Sequence, residues 1–285
     1  MPEPRAVDVD GAVVGVYDYG DPTGTPVMVF HGTPACGAGF AWADAAAAER
    51  GLRLVAPDRP GVGISSRVTA WTIAEYPAHV AALADALGID RFAVWGYSGG
   101  GPYAVACAAL LDDRVTTTAV AAGMGQIGAW ATIDESEKTD RQMLELSTTH
   151  PAVARFLLGA SGLGARISPK IAMRSFEKQL GPSDRAVVPT LGSPREAMAL
   201  FTQAFLHGAH GVVADYAAIA RPWGFDLGSI ETPMAVFHGD ADTMVPLRHG
   251  EELAERVPGA TLTVWSGAGH LGTISHVGDV LDALG

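Results

Sequence analysis

Short runs rich in β-branched and aromatic residues alternate with alanine-rich runs at both ends of the chain. The first kind predicts strands at residues 12–19, 27–30, 53–56, 91–95, 115–121, 234–237 and 261–265. The second kind predicts helices at residues 41–50, 72–87, 101–110, 247–256 and 274–284. Because strands and helices alternate, the pattern favours an α/β fold with a mostly parallel central sheet and helices on both faces.

The middle of the chain breaks this alternation. Between about residues 124 and 221 no run is rich in β-branched residues, and helical segments are separated by dipeptides such as His150-Pro151 and Gly181-Pro182. This pattern predicts a helical insertion, and an insertion here would lie over the carboxyl ends of the parallel strands, where open sheets bind ligands. We therefore predict a core formed by residues 1–123 and 224–285 and a helical cap formed by residues 124–223.

Composition and charge narrow the function classes. The chain has 285 residues, of which 48% are hydrophobic and 18% charged, as expected for a globular protein with a large core. The chain has 19 Lys and Arg and 31 Asp and Glu, so its net charge is -12. A chain of this charge lacks the basic surface that nucleic-acid binding needs, and we expect no nucleic-acid partner.

The N-terminal residues and the cysteines indicate where the protein is located. Glu3 and Asp8 stand where a secretory signal would carry an apolar stretch, and no apolar run is long enough to span a bilayer, so we expect no membrane partner. Cys36 and Cys107 have no metal-ligand spacing and suit a reducing compartment. The expectation is a cytoplasmic protein, whose oligomeric state the sequence leaves open.

The strongest local signal is Gly96-Tyr97-Ser98-Gly99-Gly100, which follows a predicted strand and precedes a predicted helix. Glycines flank the serine because a tight strand-to-helix turn brings its neighbours against the adjoining elements. The turn would expose the Ser98 hydroxyl at a helix N-terminus, which favours negative charge on a bound oxygen. The pattern therefore predicts that Ser98 is a nucleophile.

A serine hydroxyl needs a general base, and His270 is the best candidate among nine histidines. It lies in a loop of small residues between a late strand and the last helix. The acid that orients it should follow another late strand, where Asp240 and Asp242 both occur. We choose Asp242, because Asp240 follows Gly239 and is better suited to stabilising the turn. Nucleophile, acid and base then follow in that order along the chain.

Two backbone amides should stabilise an oxyanion at such a serine. One belongs to Gly99, the residue after the nucleophile. The other should come from the loop after an early strand, where His31-Gly32 turns the chain and makes the Thr33 amide the candidate. The alternative is an ordinary Gly-Pro turn, and the Thr33 hydroxyl could also contact substrate.

Together these motifs resemble the α/β-hydrolase superfamily of lipases, esterases and epoxide-hydrolase-like enzymes. The resemblance covers nearly the whole predicted core and includes the segments that begin at His31, Asp58, Gly96, His238 and Gly269. It implies that the helical insertion is the family's variable cap, and that the aspartate of Asp58-Arg59-Pro60-Gly61 orders backbone.

The resemblance also implies a mechanism. Ser98 stands where haloalkane dehalogenases and epoxide hydrolases carry aspartate, so the resemblance favours acyl transfer to serine. Ser98 would attack an ester, lactone or related acyl group, His270 would move the proton, and water would hydrolyse the acyl-enzyme. No metal or organic cofactor is implied. A metal site would need His207 and His210, which lack the glutamate of H-E-x-x-H, or His238 with its neighbouring aspartates.

Specificity and alternatives remain open. Six large apolar residues in or beside the cap could line an acyl pocket, although they also suit packing between cap helices and core: Trp130, Met143, Phe156, Phe201, Phe205 and Trp223. The expected partner is a small-molecule acyl substrate. Perhydrolysis, iminopeptidase-like cleavage and carbon–carbon bond hydrolysis use the same triad, and a non-catalytic ligand receptor can share the fold.

Overall fold

A single eight-stranded sheet runs through the part of the chain that the computed structural model describes, residues 3–68, 71–129, 131 and 137–285. Its strands are β1 Arg5–Val9, β2 Ala12–Gly20, β3 Thr25–Phe30, β4 Leu52–Pro57, β5 Phe92–Tyr97, β6 Val115–Ala121, β7 Met234–Gly239 and β8 Thr261–Trp265. The order across the sheet is β1-β2-β4-β3-β5-β6-β7-β8. Pairs β1–β2 and β2–β4 are antiparallel and the others parallel, which confirms the predicted mostly parallel sheet.

All seven predicted strands are present within three residues of their predicted ends, but β1 was not predicted. Only Val7 of this strand is buried, so its hydrophobic pattern is weak. A turn signal was nevertheless present, because Asp10 and Gly11 form the two-residue loop between β1 and β2 with φ of 53° and 81°. Asp-Gly is a preferred sequence for such hairpin turns.

The helices of the described residues are α1 Asp44–Ala48, α2 Tyr76–Ala86, α3 Gly101–Leu110, α4 Lys138–Thr149, α5 Pro151–Ile167, α6 Pro169–Glu177, α7 Pro182–Val187, α8 Pro194–Gln203, α9 His210–Ile219, α10 Arg248–Arg256, α11 Gly272–Ser275 and α12 Val277–Asp282. Prolines begin α5 to α8, since a first-turn proline lacks only an N–H that the helix does not use. The last predicted helix is instead two short helices, α11 and α12. No helix of these ranges is both long and apolar enough to cross a membrane.

Helices α4 to α9 lie between β6 and β7, where the sequence predicts the insertion. The main hydrophobic cluster includes the central strands and continues into Leu144 of α4, Leu158 of α5 and Ile219 of α9. A second, smaller cluster joins α5 to α8 with Leu271. The helices of the insertion therefore pack directly on the core, above the ends of the parallel strands.

Candidate active site

Ser98 sits at a sharp turn between β5 and α3. Its φ is +54°, in the left-handed region that costs a residue with a side chain roughly 1–3 kcal/mol. The residues Ser98–Gly100 form one turn of 3-10 helix that continues directly into α3. The turn is therefore strained, and it places the serine at the start of a helix.

The glycines around Ser98 are required by space. A Cβ on Gly100 would lie 2.0 Å from the Phe30 carbonyl oxygen, and one on Gly96 would lie 2.5 Å from the Gly100 oxygen. A Cβ on Gly99 would meet the Thr33 side chain at 2.8 Å. Any side chain at Gly96 or Gly100 would therefore push β5, β3 and α3 apart, as the sequence pattern suggests.

His270 lies in the loop between β8 and α11 and contacts Ser98 through one ring nitrogen and Asp242 through the other. The distance from Nε2 to Ser98 Oγ is 2.9 Å, and that from Nδ1 to Asp242 Oδ2 is 2.8 Å. An ionised carboxylate can only accept a hydrogen bond, so the Nδ1 proton is donated to Asp242. Nε2 is then free to accept the proton of the Ser98 hydroxyl.

Asp242 is fixed from its other side. Its Oδ1 accepts hydrogen bonds from the amides of Met244 and Val245, at 2.8 and 2.9 Å. Asp240, the competing candidate, instead accepts the Gly267 amide at 2.6 Å and so joins the loop after β7 to the loop after β8. The structure therefore brings Asp242, and not Asp240, to the imidazole.

The electrostatics of this pair favour an ionised carboxylate. Burial alone would raise the pKa of Asp242, but His270 and His238 lower it below its usual range. Burial likewise works to lower the pKa of His270, but the charge and hydrogen bond of Asp242 outweigh it and raise that pKa above its ordinary value. Asp184 and Asp140 add smaller contributions in the same direction.

The residues predicted to form the oxyanion hole, Thr33 and Gly99, lie close together beside Ser98. A Cβ built on Gly99 would lie 3.1 Å from the Thr33 nitrogen, and one on Gly32 would lie 3.2 Å from Ser98 Cβ. Within the described residues, the Thr33 amide has no hydrogen-bond acceptor. Gly99 occupies the second position of its helical turn, where an amide has no acceptor within the helix. Neither amide is therefore used by the backbone of the described residues, and their role as oxyanion donors stays a prediction.

A buried ion pair behind this loop was not predicted. Arg59 donates to Asp215 Oδ2 on α9 at 2.6 Å, to the Gly32 carbonyl at 2.9 Å and to the Thr33 hydroxyl at 2.8 Å. The Tyr103 hydroxyl donates to the other Asp215 oxygen. The sequence held one signal, because Asp215 is the one charged side chain apart from His210 in the apolar helix α9.

Two further acidic residues reach the site from the inserted helices. Asp184 of α7 is buried and accepts the Leu271 amide at 2.7 Å, which fixes the loop that carries His270. Asp140 of α4 lies 2.7 Å from the Tyr216 hydroxyl, and burial raises the pKa of Asp140 to about 6. The Tyr216 hydroxyl also lies 3.4 Å from the Thr33 carbonyl oxygen. Both aspartates lie in the inserted helices, where no motif indicates them.

Of the side chains predicted to contact substrate, Trp130 lies outside the described residues. Met143 is buried on α4. Phe205 packs on Phe201 at 5.0 Å and so closely on Gly162 that a Cβ there would lie 2.9 Å from its ring. Trp223 is buried and stacks on Phe225 at 5.9 Å. Packing accounts for the burial of Phe205 and Trp223, and their contact with substrate stays a prediction.

The remaining motif residues have structural partners. Asp58 Oδ1 accepts the Gly37 amide at 2.8 Å, and burial raises the pKa of Asp58 to about 7. His238 Nε2 lies 2.8 Å from the Val245 carbonyl oxygen. Across the described ranges, no three His, Cys, Asp or Glu side chains are grouped as metal binding would require.

Comparisons with known proteins agree with this architecture. A family model described as alpha/beta hydrolase fold matches residues 25–277. The curated protein 2-hydroxymuconate semialdehyde hydrolase from Pseudomonas putida is 25% identical over 285 residues, which cover 95% of this chain and 89% of that protein.

Solved structures superpose over almost the whole chain. A thermophilic esterase from Thermogutta terrifontis has a TM-score of 0.70 at 22% identity, covering 99% of this chain and 96% of the esterase. The enol-lactonase from Burkholderia xenovorans has a TM-score of 0.69 at 21% identity, covering 98% of this chain and 97% of the enol-lactonase. Similarities at these identities establish the fold.

Proposed function

Because the chain belongs to the alpha/beta hydrolase fold family, we propose that it is a serine hydrolase that cleaves a small-molecule ester or lactone. One observation carries the proposal: an unbroken path of hydrogen bonds runs from Ser98 Oγ through His270 to Asp242. It begins at a strained serine with two free amides beside it.

The geometry supports the following acylation step. The Ser98 oxygen attacks the acyl carbon while His270 Nε2 takes its proton, and the Asp242 carboxylate stabilises the imidazolium that forms. The carbonyl oxygen becomes an oxyanion, to which the Thr33 and Gly99 amides donate hydrogen bonds. His270 then gives the proton to the leaving alkoxide, whose bond to the acyl carbon breaks.

Deacylation follows the same steps, with water in place of Ser98 as the nucleophile. His270 removes a proton from water as its oxygen attacks the acyl-enzyme carbonyl, and the same two amides stabilise the second oxyanion. The proton then returns to the Ser98 oxygen as the acid product leaves. The proton moves only between Ser98, His270 and the reacting oxygens, so no co-reactant besides water is needed.

We also propose a cytoplasmic location and no nucleic-acid or membrane partner. Both cysteines, Cys36 and Cys107, are free and buried, which suits a reducing compartment. The net charge of -12 disfavours binding to phosphate backbones.

Carbon–carbon bond hydrolysis is the second candidate function. It is favoured by the similarity to 2-hydroxymuconate semialdehyde hydrolase, which extends over 95% of this chain and therefore includes the inserted helices. The same nucleophile, base and amides would serve that reaction, so only a substrate comparison separates the two.

The test is turnover of p-nitrophenyl acetate, a γ-lactone and 2-hydroxymuconate semialdehyde by the wild type and by Ser98→Ala. We expect ester or lactone turnover that falls at least about 1,000-fold in Ser98→Ala. The matched control is Ser161→Ala on the exposed side of α5, which should keep full activity. Faster turnover of the semialdehyde than of either acyl substrate would favour the second candidate, and equal ester turnover by Ser98→Ala would refute the first.

A further inference from the structure

A cavity of about 480 Å³ lies on the far side of α9 from the candidate active site. It is enclosed by the loop after β4, the end of α4, the start of α5 and one face of α9. Neither Ser98, Asp242 nor His270 lines it. Asp215 and Tyr216 of α9 contact the Thr33 loop, whereas His210 and Ala217 of the same helix line the cavity.

The charge of the cavity is opposite to that of the protein. Three arginines, Arg67, Arg155 and Arg221, line it together with His210, and no acidic residue of the described ranges does. Arg67 donates to the His207 carbonyl oxygen. Arg67 and Arg155 lie near enough to His210 to lower its pKa, in addition to a larger effect of burial. In a chain of net charge -12, these cations form a local site for an anion.

Two helix N-termini add to this positive potential. α5 begins at Pro151 and α9 at His210, and both residues line the cavity. The helix dipole favours an anion at that end of both helices, and the first amides of α9 have no acceptor within the helix, whereas Pro151 of α5 has no N–H. An anion in the cavity would therefore face two helix starts as well as the arginine side chains.

Ser147 is a buried polar residue in the wall of the cavity. It lines the cavity at the end of α4, and only 4% of its surface is exposed. Its Oγ has no hydrogen-bond partner among the described residues. A buried hydroxyl is normally paired, so this one lacks a partner in the wall of the cavity.

Apolar side chains form another part of the wall. Val68, Trp71, Val213 and Ala217 line the cavity together with the cations. A volume near 480 Å³ is within the range of small-molecule sites, which combine apolar walls with a few polar groups.

We propose that this cavity binds a small organic anion, with one carboxylate or phosphate group held by Arg155 and Arg221 and an apolar body packed on Trp71 and Val213. The site is separate from Ser98, and its occupation does not depend on the proposed hydrolase activity.

The test is calorimetric titration of the full-length Ser98→Ala variant, which removes the nucleophile and leaves the cavity unchanged. The probes are benzoate, phenyl phosphate, benzamide and inorganic phosphate. We expect saturable binding of benzoate or phenyl phosphate, and the tighter of the two identifies the anionic group. Benzamide and inorganic phosphate, which each lack half of the proposed ligand, should bind at least about tenfold more weakly.

Substitutions then locate the site. Arg155→Gln with Arg221→Gln should weaken binding at least about tenfold, since two charge-assisted hydrogen bonds are lost. Both side chains are exposed, so the variant should fold normally. Ala217→Phe should also abolish binding by filling the cavity. The control is Arg174→Gln, an exposed arginine on α6 outside the cavity, which should change affinity less than about twofold.

Three outcomes would overturn the proposal. The first is no saturable binding of benzoate or phenyl phosphate, and the second is unchanged affinity in the double variant. The third is benzamide binding as tightly as benzoate, or inorganic phosphate binding as tightly as phenyl phosphate. Ester turnover by the same substitutions in a chain that retains Ser98 is a separate readout. Failure of the anion site and failure of the proposed hydrolase activity are thereby distinguished.

Discussion

His270 is held between two residues that are 172 and 28 positions away along the chain, Ser98 and Asp242. Each of the three follows a different strand of the sheet: Ser98 follows β5, Asp242 β7 and His270 β8. Because these strands are parallel, their following loops meet at one edge of the sheet. This is why chain order and loop position were enough to select three residues from the sequence.

Asp242→Asn is expected to lower kcat by about 10,000-fold, because an asparagine amide would favour the wrong imidazole tautomer. Asp240→Asn is the matched control. Its remaining carbonyl oxygen can still accept the Gly267 amide, so activity should change only a few-fold. Steady-state kinetics on an activated ester measure both. A severe loss in Asp240→Asn with little change in Asp242→Asn would reverse the assignment.

The pH dependence follows from the same contact. Asp242 raises the pKa of His270 above its ordinary value near 6.5, despite the opposing effect of burial. Since only neutral imidazole acts as a base, kcat/KM should fall as the pH decreases through that raised pKa. The pH at which kcat/KM is half-maximal should therefore lie above about 6.5. A profile that stays flat between pH 5 and 8 would contradict a catalytic role for His270.

Residues outside the motifs were harder to predict. Asp184, Asp140 and Asp215 come from the inserted helices, and each meets its partner only through tertiary packing. Nothing in the local spacing of Asp184 and Asp140 distinguishes them from surface carboxylates, whereas Asp215 differs as the one acidic side chain in the apolar helix α9. The nucleophile turn, in contrast, is a local feature, and its glycine requirement can be read directly from the sequence.

At the scale of single elements, the turn between β5 and α3 depends on Gly100. A Cβ there would lie 2.0 Å from the Phe30 carbonyl oxygen, which is backbone and cannot move aside easily. Gly100→Ala should therefore lower the free energy of unfolding by at least about 2 kcal/mol in urea titrations. The control is Gly164→Ala in α5, where a Cβ meets nothing within 4 Å. It should stabilise by up to about 1 kcal/mol, and equal effects would argue against a tight turn.

Helix α9 is joined to the Thr33 loop by the buried pair of Asp215 and Arg59. Asp215→Ala leaves the Arg59 charge buried without its partner, which typically costs about 3–5 kcal/mol of stability. Because Arg59 also holds the Thr33 hydroxyl, kcat should fall in the same variant. Urea unfolding and ester kinetics measure the two effects.

An exposed ion pair provides the comparison. Asp18 pairs with Arg5 and Arg53 at the surface, so Asp18→Ala should cost less than about 1 kcal/mol. If Asp215→Ala proved as mild as Asp18→Ala, with unchanged kcat, the Thr33 loop would not depend on α9.

Most of the sheet could be predicted because buried parallel strands are continuous apolar runs, as in Val27 to Phe30, where every residue is fully buried. Strand β1 escaped prediction because only Val7 of it is buried. The prediction of a single final helix was wrong, because α11 ends at Ser275 and α12 begins at Val277. His276 lies between them outside helical geometry. The periodic apolar pattern continues across this one-residue break, so the pattern does not predict the break.

At the scale of the whole molecule, the core and the inserted helices share one hydrophobic cluster, which reaches from Val29 in the sheet to Leu158 in α5. Polar contacts add to this packing, since Asp184 of α7 holds the Leu271 amide next to His270. The inserted helices thus contribute to the position of the loop that carries His270. The sequence predicts where the insertion lies but not these contacts.

The most direct test of the central claim is labelling of the intact, folded protein with a fluorophosphonate probe, read by mass spectrometry for the wild type and for Ser98→Ala. A fluorophosphonate reacts with a serine only when a base and an oxyanion site activate it. We predict one adduct per chain, located on Ser98, and none in Ser98→Ala. An unlabelled wild type, or an adduct on another serine that persists in Ser98→Ala, would contradict the account.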